Sequence, residues 1–199
     1  MTKTKRKKID KVLFAIVLAA GESKRFGSTK QLAKFNDQAL VTNVVRLSES
    51  ACNERSILVT GHDWQKVIHE CQPLKGFFVL NSNFRAGIAT SICAGIESIP
   101  AVADAALILL ADQPLITVEH LNKLKSAWLA CPNAIVTTSY ANTAGPPTIF
   151  PRSYFSRLAA LEGDRGAKEV INNPNNRVEL INFEKGAVDI DRLEDLDSL

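Results

Sequence analysis

The sequence predicts a single α/β domain: a mostly parallel sheet with helices on both faces. Three observations carry that reading. Apolar runs of strand length recur along the chain. Stretches able to form amphipathic helices lie between them. No internal repeat, low-complexity linker or break in composition marks a second unit. The 199 residues are 46% hydrophobic and 23% charged, which excludes a disordered or collagen-like chain.

Leu13–Leu18 is a continuous apolar run rich in branched residues, the pattern of a strand covered on both faces. Ser56–Thr60, Phe77–Leu80, Ala105–Leu110 and Ala134–Thr138 share that character. Leu40–Ala51, Trp64–Cys71 and Ile88–Ile99 read as helices, the last interrupted by Gly95. Thr117 supplies an N-cap, and Val118, Leu121, Leu124 and Trp128 follow at helical spacing. Cys131-Pro132-Asn133 stops that helix. Parallel sheets cross over right-handedly and bind ligands outside the carboxyl ends of their strands. The loops to search are therefore 19–30, 61–63, 81–87, 111–116 and 139–147.

The net charge of +3 comes from one end. Residues 1–11 hold six basic residues and one acid, leaving 18 basic and 20 acidic residues elsewhere. We read 1–11 as a basic, flexible, solvated tail and 12–199 as the folded domain, with no nucleic-acid or membrane partner. Cys52, Cys71, Cys93 and Cys131 have no C-x-x-C or zinc spacing. Reduced thiols in a cytoplasmic protein fit better than disulfides. The apolar run 12–20 behind a basic segment also has the outline of a short signal peptide. Cleavage after Ala20 would remove the first strand, however, and the run falls short of the ~20 residues a bilayer needs.

The loop after the first strand carries the chemistry. Small residues at 19–21 let backbone approach a ligand, and successive N–H groups in such a turn form an anion-binding nest. Arg25 and Lys30 add charge able to neutralise a triphosphate. The spacing matches neither the Walker nor the dinucleotide loop. From chemistry alone, a glycine-containing surface turn remains the rival reading. Asp112 ends a buried strand, where a carboxylate suits Mg²⁺ or simply caps the turn before Pro114. His62, His69 and His120 form no arrangement with a serine or cysteine nucleophile.

Leu18-Ala19-Ala20-Gly21, Ser23, Arg25, Phe26, Gly27 and Lys30 closely resemble the L-A-A-G-x-S-x-R-[MF]-G-x-x-K loop of the molybdenum cofactor cytidylyltransferase family of nucleotidyltransferases. Further elements resemble that family in the same order. Asn83-Phe84-Arg85-Ala86-Gly87 with Ser91 is similar to N-x-x-x-G-x-x-x-S. Asp112-Gln113-Pro114 is similar to D-Q-P, and Gly145-Pro146-Pro147 with Phe150 to G-x-P-x-x-[FL]. Gly163-Asp164-Arg165-Gly166-Ala167-Lys168 is similar to G-D-x-G-A-[RK]. Asp189-Ile190-Asp191 with Glu194-Asp195-Leu196 resembles D-I-D-T-P-E-D-L. Pro146 stands where the family commonly has Asn or His, and Arg192-Leu193 replaces Thr-Pro.

The resemblance implies a Rossmann-like nucleotidyltransferase domain that moves CMP from CTP to the terminal phosphate of a molybdopterin-type cofactor, releasing pyrophosphate. The product would pass to a molybdoenzyme. Arg25, Lys30 and Asp112 are the implied catalytic residues, with Mg²⁺ held by Asp112 and Asp191. Leu18, Ala19, Ala20, Gly21, Ser23, Arg25, Lys30, Gly87 and Ser91 would bind the nucleotide. Asn81 and Asn83 could hydrogen-bond base or ribose. Gly145, Pro147, Asp164, Gly166 and Lys168 would face the acceptor. In the family, Leu-Ala-Ala-Gly accompanies cytidine nucleotides, so Ala20 favours CTP through a narrower base slot. Two alternatives stay open: transfer to another phosphorylated small molecule, such as a sugar or polyol phosphate, and a non-catalytic cofactor carrier.

Overall fold

A computed structural model describes residues 11–197 and 199; apart from Lys11, the basic tail lies outside the described residues. The order is β1 (Leu13–Ala19), β2 (Lys34–Phe35), β3 (Gln38–Ala39), α1 (Leu40–Ala51), β4 (Ser56–Thr60), α2 (Trp64–Glu70), β5 (Phe77–Leu80) and α3 (Ile88–Glu97). It continues with β6 (Ala105–Leu110), α4 (Val118–Ala130), β7 (Ile135–Tyr140), β8 (Thr143–Pro151), α5 (Phe155–Ala159), α6 (Lys168–Ile171), β9 (Val178–Asn182) and α7 (Leu193–Asp197). The main sheet runs β5-β4-β1-β6-β8-β7-β9, with β8 antiparallel to its neighbours and the other pairs parallel.

The sheet is covered on both sides, which is why β1 is apolar throughout. Ala15 and Val17 face Val44 and Val45 of α1 and Leu121, Leu124 and Trp128 of α4. Phe14, Ile16 and Leu18 face Ile92 and Ile96 of α3, Leu158 of α5 and Val170 and Ile171 of α6. Each such large side chain contributes ~1.5–3 kcal/mol when fully buried. Gly95 does not interrupt α3. A Cβ there would lie 2.6 Å from Ile16 Cγ2, so the glycine lets the helix sit close on β1. Thr117 caps α4 as its residue type suggests, accepting from the His120 N–H at 3.3 Å.

Residues 139–147 are not a loop. They form most of a hairpin whose two turn residues, Ala141 and Asn142, have φ of 46° and 59°. Thr137 pairs with Thr148 and Thr138 with Gly145, so Pro146 and Pro147 are extra residues at a bulge. Proline argues against a central strand because it cannot donate to the ladder. Here the prolines lie beyond Ile108↔Thr148, the last pairing with β6, and no bond to that strand is forfeited. Among the described residues no helix is long and apolar enough to cross a membrane.

From β1 the sheet grows outward through β4 to β5, and the chain then returns to place β6 on the other side of β1. That reversal opens a crevice at the carboxyl ends of β1 and β6.

Candidate active site

The turn leaving β1 is held by a side chain that carries no motif signal. Buried Gln31 donates to the Gly21 carbonyl at 2.9 Å and accepts from the Ser23 hydroxyl at 3.2 Å. Ser23 sits at φ 54°, a left-handed conformation, and its carbonyl accepts from Phe26 N–H at 2.9 Å. The chain is thereby curled tightly between Gly21 and Lys30.

The β6 end supplies Asp112. Fully buried Ile190 donates its N–H to the Asp112 carbonyl at 3.0 Å, tying the C-terminal segment beside that strand end. This brings Asp191 close to a residue far away in sequence. Asp195 caps the segment, accepting from the N–H groups of Asp191 and Arg192 at 2.8 and 2.7 Å. Lys30 Nζ stands between the acids, 2.6 Å from Asp112 Oδ2, 3.3 Å from Asp191 Oδ1 and 2.8 Å from the Ile190 carbonyl. Arg25 reaches Asp191 Oδ2 at 3.0 Å from the solvent side. The second oxygen of Asp112, Oδ1, is buried without a partner. Asp189 is pushed up to about 6, first by desolvation and then by the Asp112 carboxylate.

The facing wall comes from the segment after β5. Glu22 Oε1 accepts from Arg85 Nε at 2.7 Å, tying the glycine turn to this wall. Asn81 is 6% exposed, and its amide is fully engaged within the protein. Gly87 has φ 109°, and a Cβ on it would fall 2.2 Å from Gly163 carbon, so glycine is required for the close approach of the 163–166 loop.

Leu18, Ala19, Ala20, Gly21, Ser23, Arg25, Lys30, Gly87, Ser91, Asp112, Asp164 and Asp191 line one cleft of about 420 Å³. Glu22, Gln31, Phe84 and Arg85 line it too, and sequence reasoning gave them no role. Asn81, Asn83, Gly145, Pro147, Gly166 and Lys168 lie outside that lining. Gly145 and Pro147 are buried in β8, while Lys168 is exposed at the start of α6.

Among the described residues, no group of three or more His, Cys, Asp or Glu is placed to hold a metal. Two aspartates beside the glycine turn instead suit a hard cation that completes its shell with water and substrate oxygens, as Mg²⁺ does. The unpartnered Asp112 oxygen fits that role.

The fold and this cleft define a nucleotidyltransferase. Residues 15–178 match the model of the MobA-like NTP transferase domain, and the chain belongs to that family. It is similar to the purine catabolism protein PucB of Bacillus subtilis, 26% identical over 167 residues that make up 80% of each protein. It also resembles the crystal structure of Rv0371c from Mycobacterium tuberculosis, with TM-score 0.81 and 25% identity over 94% of this chain and 97% of that one. A manganese complex of Rv0371c superposes with TM-score 0.80 at 24% identity, covering 94% and 97%. The molybdopterin-guanine dinucleotide biosynthesis protein A of Archaeoglobus fulgidus shares the fold, with TM-score 0.67 and 17% identity over 92% and 95%.

Proposed function

We propose that this protein transfers CMP from CTP to the terminal phosphate of a molybdopterin-type cofactor in the cytoplasm. The observation that carries the reading is the Lys30 ammonium held between Asp112 and Asp191 beside the glycine turn. With Arg25 also paired to Asp191, two cations face two carboxylates at the switch point of the sheet, a seat suited to a polyanion and its counter-cation. The nest at 19–23 takes the triphosphate, and Arg25 and Lys30 neutralise charge on the transferred and leaving phosphates. Asp112 and Asp191 would hold Mg²⁺, which supplies Lewis-acid stabilisation of phosphoryl oxygens when bound. Binding of the triphosphate draws Lys30 from the carboxylates toward phosphate oxygen.

An oxygen of the acceptor's phosphate monoester attacks the α-phosphorus. The bond to the bridging oxygen breaks, and pyrophosphate leaves with the electron pair. The attacking oxygen is already anionic at neutral pH, so the chain needs no general base. This agrees with His120 of α4 being buried against Thr138 and Phe183, and with no histidine among the residues lining the cleft. Asp164, which lines the cleft, is the proposed acceptor end, together with Gly145, Pro147, Gly166 and Lys168, which lie outside that lining. The manganese complex of the similar Rv0371c supports a divalent cation, and the shared fold of the A. fulgidus protein supports a molybdopterin-type acceptor. The four cysteines are free, in keeping with a reducing compartment.

The test is pyrophosphate release with CTP, GTP and Mg²⁺ against molybdopterin, a sugar phosphate and a polyol phosphate. Turnover with CTP and molybdopterin is expected; turnover only with another pair would replace this substrate assignment. Asp112→Asn should lower turnover by about 10³-fold or more, because several kcal/mol of charge stabilisation go with the cation. A carrier would instead retain bound cofactor and show no turnover in the wild type.

A further inference from the structure

We propose that Asn81 is a positioning residue that fixes the polarity of the Ser91 hydroxyl, making Ser91 a hydrogen-bond donor to the nucleoside part of the bound triphosphate. The inference rests on the nucleotide-binding reading above. The Asn81 side chain is oriented unambiguously, because Oδ1 accepts from the Asn83 backbone N–H at 2.9 Å, a group that can only donate. Nδ2 therefore faces the first turns of α3, giving one proton to Thr90 Oγ1 at 2.8 Å and one to Ser91 Oγ at 3.0 Å.

The two hydroxyls then part company. Thr90 passes its own proton back to the protein, with the Gly87 carbonyl at 2.9 Å and the Asn83 carbonyl at 3.2 Å. Ser91 accepts from Asn81, and no bond in which it donates is formed among the described residues. Ser91 is 5% exposed, and it lines the cleft with Phe84, Gly87 and Ile88. Arg85 on that wall is paired with Glu22. An apolar surface with one committed hydroxyl donor suits a base or ribose acceptor atom better than a phosphate. Asn81 thus acts on the nucleotide through Ser91 while lying outside the cleft itself.

The experiment is calorimetric binding of CTP with Mg²⁺ to wild type, S91A, N81D and the double variant, with GTP, ATP and UTP run on wild type. S91A removes the donor and should weaken binding about tenfold, the worth of one buried hydrogen bond. N81D keeps the bond from Asn83 N–H, but its new oxygen accepts from Ser91 and turns that proton inward. It should weaken binding by the same factor. The double variant should bind no more weakly than either single one, since the same donor is lost only once. A purely structural role for Asn81 would leave the cost of N81D undiminished in the S91A background, and that result overturns the inference. So does unchanged binding by S91A, which decides alone if circular dichroism shows N81D unfolded. If wild type prefers another triphosphate, the series is run with that one. If wild type binds none of the four, the nucleotide reading fails, and this inference fails with it.

Discussion

Lys30 meets two carboxylates and a carbonyl, while Asp112 keeps one oxygen unpaired. Arg25 on Asp191 brings the cations level with the two carboxylates, so the site is balanced in charge yet incomplete in coordination. Lys30→Gln keeps much of the side chain's bulk but leaves the acids uncompensated and removes a preorganised cation. Turnover should fall about 10²–10³-fold, the usual cost of losing one such stabilising group. Steady-state pyrophosphate release checks this, and a variant within threefold of wild type would remove Lys30 from the mechanism. At this scale the sequence was informative where residue types are unusual. The small-residue turn, Arg25, Lys30 and the strand-end Asp112 were legible from type and position. Gln31 and Glu22 were not, because a glutamine or glutamate in a polar loop looks the same whether it braces a turn or faces water. Asn81 was noticed, but as a nucleotide ligand; only its three bonds reveal that it is engaged internally.

Among elements, the hairpin β7–β8 and the C-terminal segment carry the most consequence. Ala141 is held in the left-handed region at φ 46°, which costs a residue with a Cβ ~1–2 kcal/mol. Ala141→Gly should raise stability by about 1 kcal/mol, read from the urea midpoint at an unchanged slope. The segment carrying Asp191 depends on Ile190, which is fully buried, donates its N–H to the Asp112 backbone carbonyl and accepts from Lys30 Nζ. Ile190→Ala should cost ~2–5 kcal/mol and loosen the second carboxylate. Its signature is a raised requirement for Mg²⁺ in turnover beyond the fall in melting temperature; a melting shift alone would make Ile190 mere packing. Strands β1, β4 and β6 were readable because a strand covered on both faces must be apolar almost throughout. Strand β5 is as apolar in sequence but lies at the sheet edge, with Phe77, Phe78 and Leu80 exposed, so it is not covered on both faces. Strand β8 was hidden by its own prolines, whose position at a bulge depends on where β6 ends.

The whole molecule couples pH to stability through a group remote from the cleft. His120 is 2% exposed and stacks on Phe183 with ring centroids 4.3 Å apart. Thr138 donates its hydroxyl proton to the Pro147 carbonyl, so it accepts from His120 Nε2, leaving Nδ1 buried and unpartnered. Desolvation lowers this histidine from 6.5 to about 4. Below pH ~6.5 the unfolded chain takes up the proton first, so stability is lost as pH falls from there to about 4, by up to ~3 kcal/mol. Asp189, raised to about 6, acts with the opposite sign. The measurement is therefore the difference between wild type and H120Q in urea unfolding from pH 7.5 to 4.5. H120Q should show the shallower loss, and parallel curves would contradict the assignment. Taken alone, the sequence determined the parallel α/β sheet, the glycine turn and the strand-end acid, because burial periodicity and local turn chemistry are written in neighbouring residues. Tertiary structure decided how Asp191 is carried to Asp112, where the Asn81 amide points, and that the two prolines belong to a strand. Each of these depends on groups that meet only when the sheet has formed, and spacing along the chain carries no trace of them.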